Sequence, residues 1–103
     1  MSEYKLLING ELVEGDTSLD IINPATGEAF TTVARASVAQ ADEAIAAAKA
    51  AAPLWAATSL EDRRKAVLAL ADAIAARSDE IARVMTAEQG KPLAEAQGEL
   101  AWT

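Results

Sequence analysis

The sequence predicts an α+β chain, with a strand-and-turn region over residues 1–36 and amphipathic helices over residues 37–103. Three observations carry that prediction. Asn9-Gly10 sits between two short apolar runs, which is a hairpin signal because both residues tolerate the positive φ of a type I′ turn. Ser37, with Gln40 three residues on, has the spacing of a capping box. From there the apolar residues recur at three and four, the period of a helix face.

The elements follow in order. Tyr4 to Ile8 reads as a first strand and Glu11 to Val13 as its hairpin partner. Glu14-Gly15-Asp16 is a loop. Ser18 to Ile22 is a further strand, stopped by Asn23-Pro24-Ala25-Thr26-Gly27, where proline lacks the ladder N–H and glycine supplies a permissive turn position. Glu28 to Ala34 closes the strand region. The first helix starts at Ser37 and places Val38, Ala41, Ile45, Ala48 and Ala52 on one face. Pro53 is expected to end or kink it. Ser59 opens a second helix with the stripe Leu60, Val67, Leu70, Ala71 and Ile74. The stripe fails at Arg77-Ser78, where Ser78-Asp79-Glu80 looks like a fresh N-cap with acids suited to the helix dipole. A shorter helix then carries Ile81, Val84 and Met85 as far as Gly90, a residue for the left-handed end position, with proline two places on. Pro92 suits the first turn of a last helix, whose apolar positions are Leu93, Ala96, Leu100 and Trp102.

Composition bounds what such a chain does. It has 103 residues, nine basic and sixteen acidic, for a net charge of −7. That balance argues against general nucleic-acid binding and against an anionic membrane surface, both of which need cations. Cysteine and histidine are both absent. Thiol nucleophiles, disulfides, Cys/His zinc sites and a Ser-His-Asp triad are therefore excluded within these residues. Met1 to Asn9 has no long apolar run behind a positive cluster, so the expectation is no signal peptide and a cytoplasmic location. Much of the 51% hydrophobic fraction is alanine, and the core is expected to be thin. Stripes left uncovered would drive association, which light scattering at several concentrations would register.

Several features invite a chemical reading and are better read plainly. Arg63-Arg64-Lys65 lies beside Glu61 and Asp62, which suits a solvated helix face with weak ion pairs rather than an anion site. Glu95 and Glu99, spaced i, i+4, are likewise a solvated face rather than a carboxylate pair. Trp55 is expected to be a packing anchor, since no basic groove surrounds it as a stacking platform would need. Gly90-Lys91 is no P-loop: the upstream glycine is missing and Pro92 stands where Ser or Thr would be.

Three phrases, in order, resemble the N-terminal part of the aldehyde dehydrogenase superfamily. They are Leu7-Ile8-Asn9-Gly10-Glu11, Asn23-Pro24-Ala25-Thr26-Gly27-Glu28, and Glu88-Gln89-Gly90-Lys91-Pro92-Leu93-Ala94-Glu95-Ala96. Trp55 and the Arg63-Arg64 helix lie between them as they do in the family, and the resemblance covers almost the whole chain. It implies a fragment of an α/β enzyme, with residues 1–36 and 37–103 both belonging to one truncated, Rossmann-like cofactor-binding domain. It implies a parent that oxidises an aldehyde through a thiohemiacetal on a cysteine. Hydride passes to NAD or NADP, and a glutamate-activated water hydrolyses the thioester. In the family the cysteine, the glutamate, an oxyanion-stabilising asparagine and the glycine-containing cofactor loop all lie further along. No catalytic or cofactor-binding residue carries over, and the isolated chain is expected to be inactive and to bind no cofactor.

One site carries over in part. Family members often hold a structural monovalent cation on backbone carbonyls, and two of those positions match Ile22 and Glu88, so the site would be incomplete here. The resemblance also implies the remainder of the parent enzyme as a partner, and a homo-oligomer. The variant Glu88 to Glu95 is similar to the succinate-semialdehyde branch. Two other readings compete, a self-standing acidic helical interaction module and a cofactor-domain remnant folded only as an oligomer. The last helix lacks a glycine, a following proline or a basic last turn at its end, so it is expected to continue beyond Thr103 in the parent.

Overall fold

The computed structural model describes residues 4–103. Four strands precede four helices: β1 (Leu6–Ile8), β2 (Glu11–Val13), β3 (Thr17–Ile22), β4 (Ala29–Arg35), α1 (Val38–Ala57), α2 (Leu60–Ala76), α3 (Ser78–Gln89) and α4 (Leu93–Trp102). The chain divides into two compact units. One holds the residues through Ile21 together with Ala29–Thr58, and the other holds Ile22–Glu28 with Ser59–Thr103.

In the first unit, β1 and β2 form an antiparallel hairpin with Leu6 opposite Val13, Leu7 opposite Leu12 and Ile8 opposite Glu11. Asn9 at φ 52° and Gly10 at φ 80° make the turn, the pair of positive angles that a type I′ connection requires. Tyr4 falls outside β1 and instead forms an isolated parallel bridge to Val33, its carbonyl accepting from the Ala34 N–H at 2.9 Å. β3 and β4 form a second two-stranded sheet. The six residues between them are too few for a parallel crossover, so the pair is antiparallel.

α1 begins as its sequence demands. The Ser37 hydroxyl oxygen accepts from the Gln40 N–H at 3.2 Å, and the Gln40 side-chain oxygen accepts from the Ser37 N–H at 3.1 Å. Gln40 does more than close this box. Its amide donates to the Glu14 carbonyl at 2.9 Å and its oxygen accepts from the Asp16 N–H at 3.2 Å, fastening the β2–β3 loop to the helix start.

Two expectations for α1 are corrected. Of the two outcomes expected at Pro53, an end or a kink, the end does not occur, because the helix runs through to Ala57. Proline withholds its own donor and crowds the carbonyl four residues back, but the turn beyond is held by Thr58, whose N–H and hydroxyl both reach the Leu54 carbonyl at 3.1 and 3.0 Å. The inward face is also displaced from the expected one. Val38 and Ile45 are exposed, and the half-buried alanines are Ala44 and Ala47. With Ala48 and Ala51 they line a shallow hollow under Leu7, Asn9 and Gly10. Small side chains let the hairpin come close to the helix, and the larger apolar residues face outward. Trp55, expected as an anchor, is 49% exposed and buries only about half of its surface.

In the second unit, α2 is capped by Ser59. Its oxygen accepts from the Asp62 N–H at 3.1 Å and its hydroxyl donates to the Asp62 carboxylate at 2.7 Å. The helix stops at Ala76, as the failing stripe predicts, but Ser78 is not the cap. Arg77 (φ −113°, ψ 15°) occupies that position without a side-chain cap bond, and Ser78 is already helical. Arg77 instead reaches forward to Glu80 with two hydrogen bonds of 2.9 and 2.6 Å. α3 ends at Gly90 in the left-handed conformation (φ 76°). Pro92 precedes α4 as its N-cap, one residue earlier than a first-turn placement. The two fully buried apolar residues among those described, Ala82 on α3 and Ala96 on α4, lie on the two helices of this unit that pack most extensively. The stripe expected on α2 stays largely open. Leu60, Val67 and Leu70 are all exposed and only Ile74 is half-buried. No helix among the described residues is long and apolar enough to cross a membrane. The leader expectation for Met1 to Asn9 rests partly on residues outside those described.

Candidate functional site

The second unit brings two of the three family-like phrases side by side. The Asn23-to-Gly27 segment is a compact turn built on Asn23. Its N–H donates to the Glu28 carbonyl at 2.9 Å, and its own carbonyl accepts from Thr26 and Gly27 at 3.2 and 2.8 Å. The Asn23 side-chain oxygen takes the Ala25 N–H at 2.9 Å, an Asx turn of the kind short polar side chains favour. Pro24 at the apex rests on the end of α3: a Cβ built on Gly90 would lie 3.0 Å from Pro24 Cγ. Gly90 is thus required twice, once by its positive φ and once by the close approach of the turn.

Between turn and helix lies a hollow of about 350 Å³, bounded by Asn23, Ala25, Arg83, Thr86, Gly90 and Leu93. The Thr86 hydroxyl oxygen is out of solvent and has no hydrogen-bond partner. Sequence reasoning did not single out Arg83 and Thr86. The signal available was their spacing of three on the face of α3 that ends at Gly90.

Ile22 is the last residue of β3 and is exposed, and Glu88 is the penultimate residue of α3 and is exposed. Neither lines the hollow, but each immediately adjoins a residue that does or lies one turn from it. The Glu88 carbonyl is one of the last four of α3, which have no donor within the helix, and the residue four places on has none to offer either. That residue is Pro92, which has no N–H. Among the described residues, no group of three or more Asp, Glu, His or Cys side chains is arranged to hold a metal ion.

The remaining polar features are surface pairs. Arg64 approaches Glu61 at 3.6 Å, and Lys65 approaches Glu61 and Asp62 at 4.0 and 3.9 Å, all on an exposed face of α2, as the plain reading of this run expects. Arg63 differs from its neighbours: its Nε is buried and without a partner. Glu99 is not paired with Glu95 in function or charge, since it forms an ion pair with Lys91. Glu80 is exposed, and the hydrogen bond from Arg77, reinforced by the guanidinium charge, lowers its carboxyl pKa from the ordinary value.

The strand-to-helix turn from β4 into α1 offers no cradle for a dinucleotide phosphate. It contains no glycine, and the Ser37 hydroxyl already takes the Gln40 N–H in the first turn of α1. The arrangement positions a turn against a helix end.

The Aldehyde dehydrogenase family model matches residues 12–103. The chain belongs to the aldehyde dehydrogenase family. It is 41% identical over 97 residues to a glutarate-semialdehyde dehydrogenase of Pseudomonas putida, covering 92% of this chain and 20% of that protein. It is 44% identical over 98 residues to the human mitochondrial, acylating methylmalonate-semialdehyde/malonate-semialdehyde dehydrogenase, covering 93% of this chain and 18% of that one. The fold is similar to the crystal structure of a succinate-semialdehyde dehydrogenase from Burkholderia pseudomallei. There the TM-score is 0.90 and the identity 37%, over 97% of this chain and 21% of the other. It is equally similar, at TM-score 0.90 and 34% identity, to a Staphylococcus aureus betaine aldehyde dehydrogenase solved in complex with NAD+. This aldehyde dehydrogenase chain spans about a fifth of the length of the relatives it matches. Its strands and helices are a fragment of that α/β enzyme fold.

Proposed function

We propose that this chain supplies the N-terminal strand-and-helix portion of an NAD-dependent aldehyde dehydrogenase, with NADP as the alternative cofactor. The whole polypeptide would oxidise an aldehyde to a carboxylic acid in the cytoplasm. The observation that carries the proposal is the match of both sequence and fold along almost the whole chain to aldehyde dehydrogenases. A semialdehyde substrate is favoured by the names of the relatives from Pseudomonas putida, human and Burkholderia pseudomallei. The cofactor and the reacting carbonyl would both be held by residues beyond these 103, since the chain has no cysteine to attack a carbonyl. The role of the residues described here is structural: the Asn23 turn, Gly90 and the paired helices α3 and α4 would brace one side of the enzyme.

The test is direct. The pure 103-residue chain, incubated with aldehydes including succinate semialdehyde and with NAD or NADP, should show no rise in reduced-cofactor absorbance above the blank. Clear turnover would refute the assignment of the chemistry to other residues.

We further infer that the Ile22 and Glu88 carbonyls contribute to a structural monovalent cation site in the complete enzyme. The support is the Glu88 carbonyl, in the last turn of α3 where carbonyls have no donor within the helix, beside a turn packed on the same helix end. The complete enzyme should then melt at a higher temperature in potassium or sodium chloride than in choline chloride of equal ionic strength. Equal melting temperatures would exclude the site.

A further inference from the structure

Asn9 and Asn23 are the asparagines of the chain, and they stand in opposite settings. Asn23 is followed by proline, which has no N–H, and its side-chain oxygen already takes the Ala25 N–H at 2.9 Å. Asn9 and Gly10 form the tip of the β1–β2 hairpin, and both are exposed. Among the described residues no hydrogen bond engages the Asn9 side chain or the Gly10 N–H. An added Cβ at Gly10 would meet nothing within 4 Å, so the space beside that nitrogen is open. The hairpin behind them pairs Leu6 with Val13, Leu7 with Leu12 and Ile8 with Glu11 and no more. A ladder that short opens locally at little cost.

We propose that Asn9 is a site of deamidation gated by opening of the hairpin, and that the isoaspartate it yields releases the hairpin from α1. The Gly10 backbone nitrogen attacks Asn9 Cγ. A bond forms between that nitrogen and Cγ, and the Cγ–Nδ2 bond breaks. The Gly10 amide proton leaves with the side-chain nitrogen as ammonia, and a cyclic imide remains. Water then adds to one imide carbonyl, and the bond from that carbon to the Gly10 nitrogen breaks. Addition at Cγ leaves aspartate in an ordinary backbone. Addition at the main-chain carbonyl carbon leaves isoaspartate, whose backbone runs through Cβ and is one carbon longer. Nothing is oxidised or reduced, and water is the co-reactant.

The folded turn holds the reacting groups apart. Asn9 has φ 52° and Gly10 φ 80°, and the first central residue of a type I′ turn has ψ of about +30°. At that ψ the Gly10 nitrogen lies on the far side of the Cα–C bond from the Asn9 side chain. Attack needs rotation about that bond, which breaks the turn. The two products then differ. Asp-Gly is also a type I′ pair, so aspartate restores the hairpin. Isoaspartate does not, because a two-residue loop with an added carbon cannot keep Leu7 opposite Leu12. Leu7, Asn9 and Gly10 share a hollow with Ala44, Ala47, Ala48 and Ala51 of α1, so loss of register lifts the turn from that face.

The experiment holds the pure 103-residue chain in mildly alkaline buffer, either folded or in denaturing urea. The tryptic peptide of residues 6–35, which contains both asparagines, is followed by mass spectrometry with fragmentation to separate the two positions. Labelling by an isoaspartyl methyltransferase scores isoaspartate. Conversion at Asn9 should proceed in the folded chain while Asn23 stays an amide. It should run about ten-fold faster in urea, which corresponds to a local opening of about 1.4 kcal/mol. Asn9→Gly keeps a type I′ pair and removes the reacting amide, so it should abolish the label. Hydrogen exchange at the amides of residues 6–13 should accelerate in the isoaspartate product and stay native-like in the aspartate product. An unchanged Asn9 in the folded chain, loss of the Asn23 amide at the same rate, or a label that survives Asn9→Gly would overturn the site. Equal rates with and without urea would overturn the gating, and equal exchange in the two products would overturn the release of the hairpin.

Discussion

At the scale of single residues, two glycines on neighbouring helices carry opposite constraints. Gly90 has φ 76°, and an added Cβ would lie 3.0 Å from Pro24 Cγ. Gly98 lies within α4, has no positive φ, and an added Cβ would meet nothing within 4 Å. Gly90→Ala should therefore destabilise the chain by about 1–2 kcal/mol, from the left-handed backbone penalty plus displacement of the turn. Gly98→Ala should stabilise it by about 0.5–1 kcal/mol, because glycine in a helix interior loses more backbone entropy than alanine. Urea unfolding of both variants against the native chain reads the two signs in one experiment. A stabilised Gly90→Ala or a destabilised Gly98→Ala would show that the Pro24 packing or the α4 helix is wrongly described.

At the scale of elements, the α2–α3 break is held by a charge pair with a definite pH dependence. Glu80 has a depressed carboxyl pKa, caused first by the Arg77 hydrogen bond and then by its charge. A group whose folded pKa is lowered contributes stability that is present above its unfolded pKa. That contribution is lost as pH falls through the lowered folded value. Because both side chains are exposed, the contribution is small and fades with salt. Urea midpoints followed from neutral pH down through the carboxylate range should fall further for the native chain than for Glu80→Gln at low salt, and the gap should close at high salt. Parallel profiles would show that Arg77 does not hold Glu80 in solution. This junction also shows what the sequence made legible. Local chemistry was readable: Asn9-Gly10 as a turn, Ser37 with Gln40 as a cap, Ser59 as a cap, Gly90 as a helix end. Each depends on a few adjacent residues and their own backbone. What depends on distant partners was not readable. The α1 face that packs is set by the hairpin reaching Ala44 and Ala47, Pro53 is tolerated because Thr58 holds the next turn, and Arg77 displaced Ser78 as the cap. The hollow beside Gly90 was hidden for the same reason, since its walls come from residues about sixty positions apart.

At the scale of the whole molecule, the chain has more apolar surface than it covers. Ala82 and Ala96 are fully buried, while Val38, Ile45, Leu54, Leu60, Val67, Leu70 and Trp102 are exposed. Small side chains contribute little transfer free energy, and a single domain of this size needs most of its large apolar residues inside to offset chain entropy. The family relatives that the chain matches are about five times as long, which is where the proposal that it is one portion of a longer enzyme starts. The sequence of the gene immediately after the codon for Thr103 tests this most directly. A chain that forms the first part of an aldehyde dehydrogenase predicts an open frame running on for several times this length, through a glycine-containing cofactor loop, a glutamate and then a cysteine. A natural stop codon directly after Thr103, in a gene with no frameshift, would contradict it.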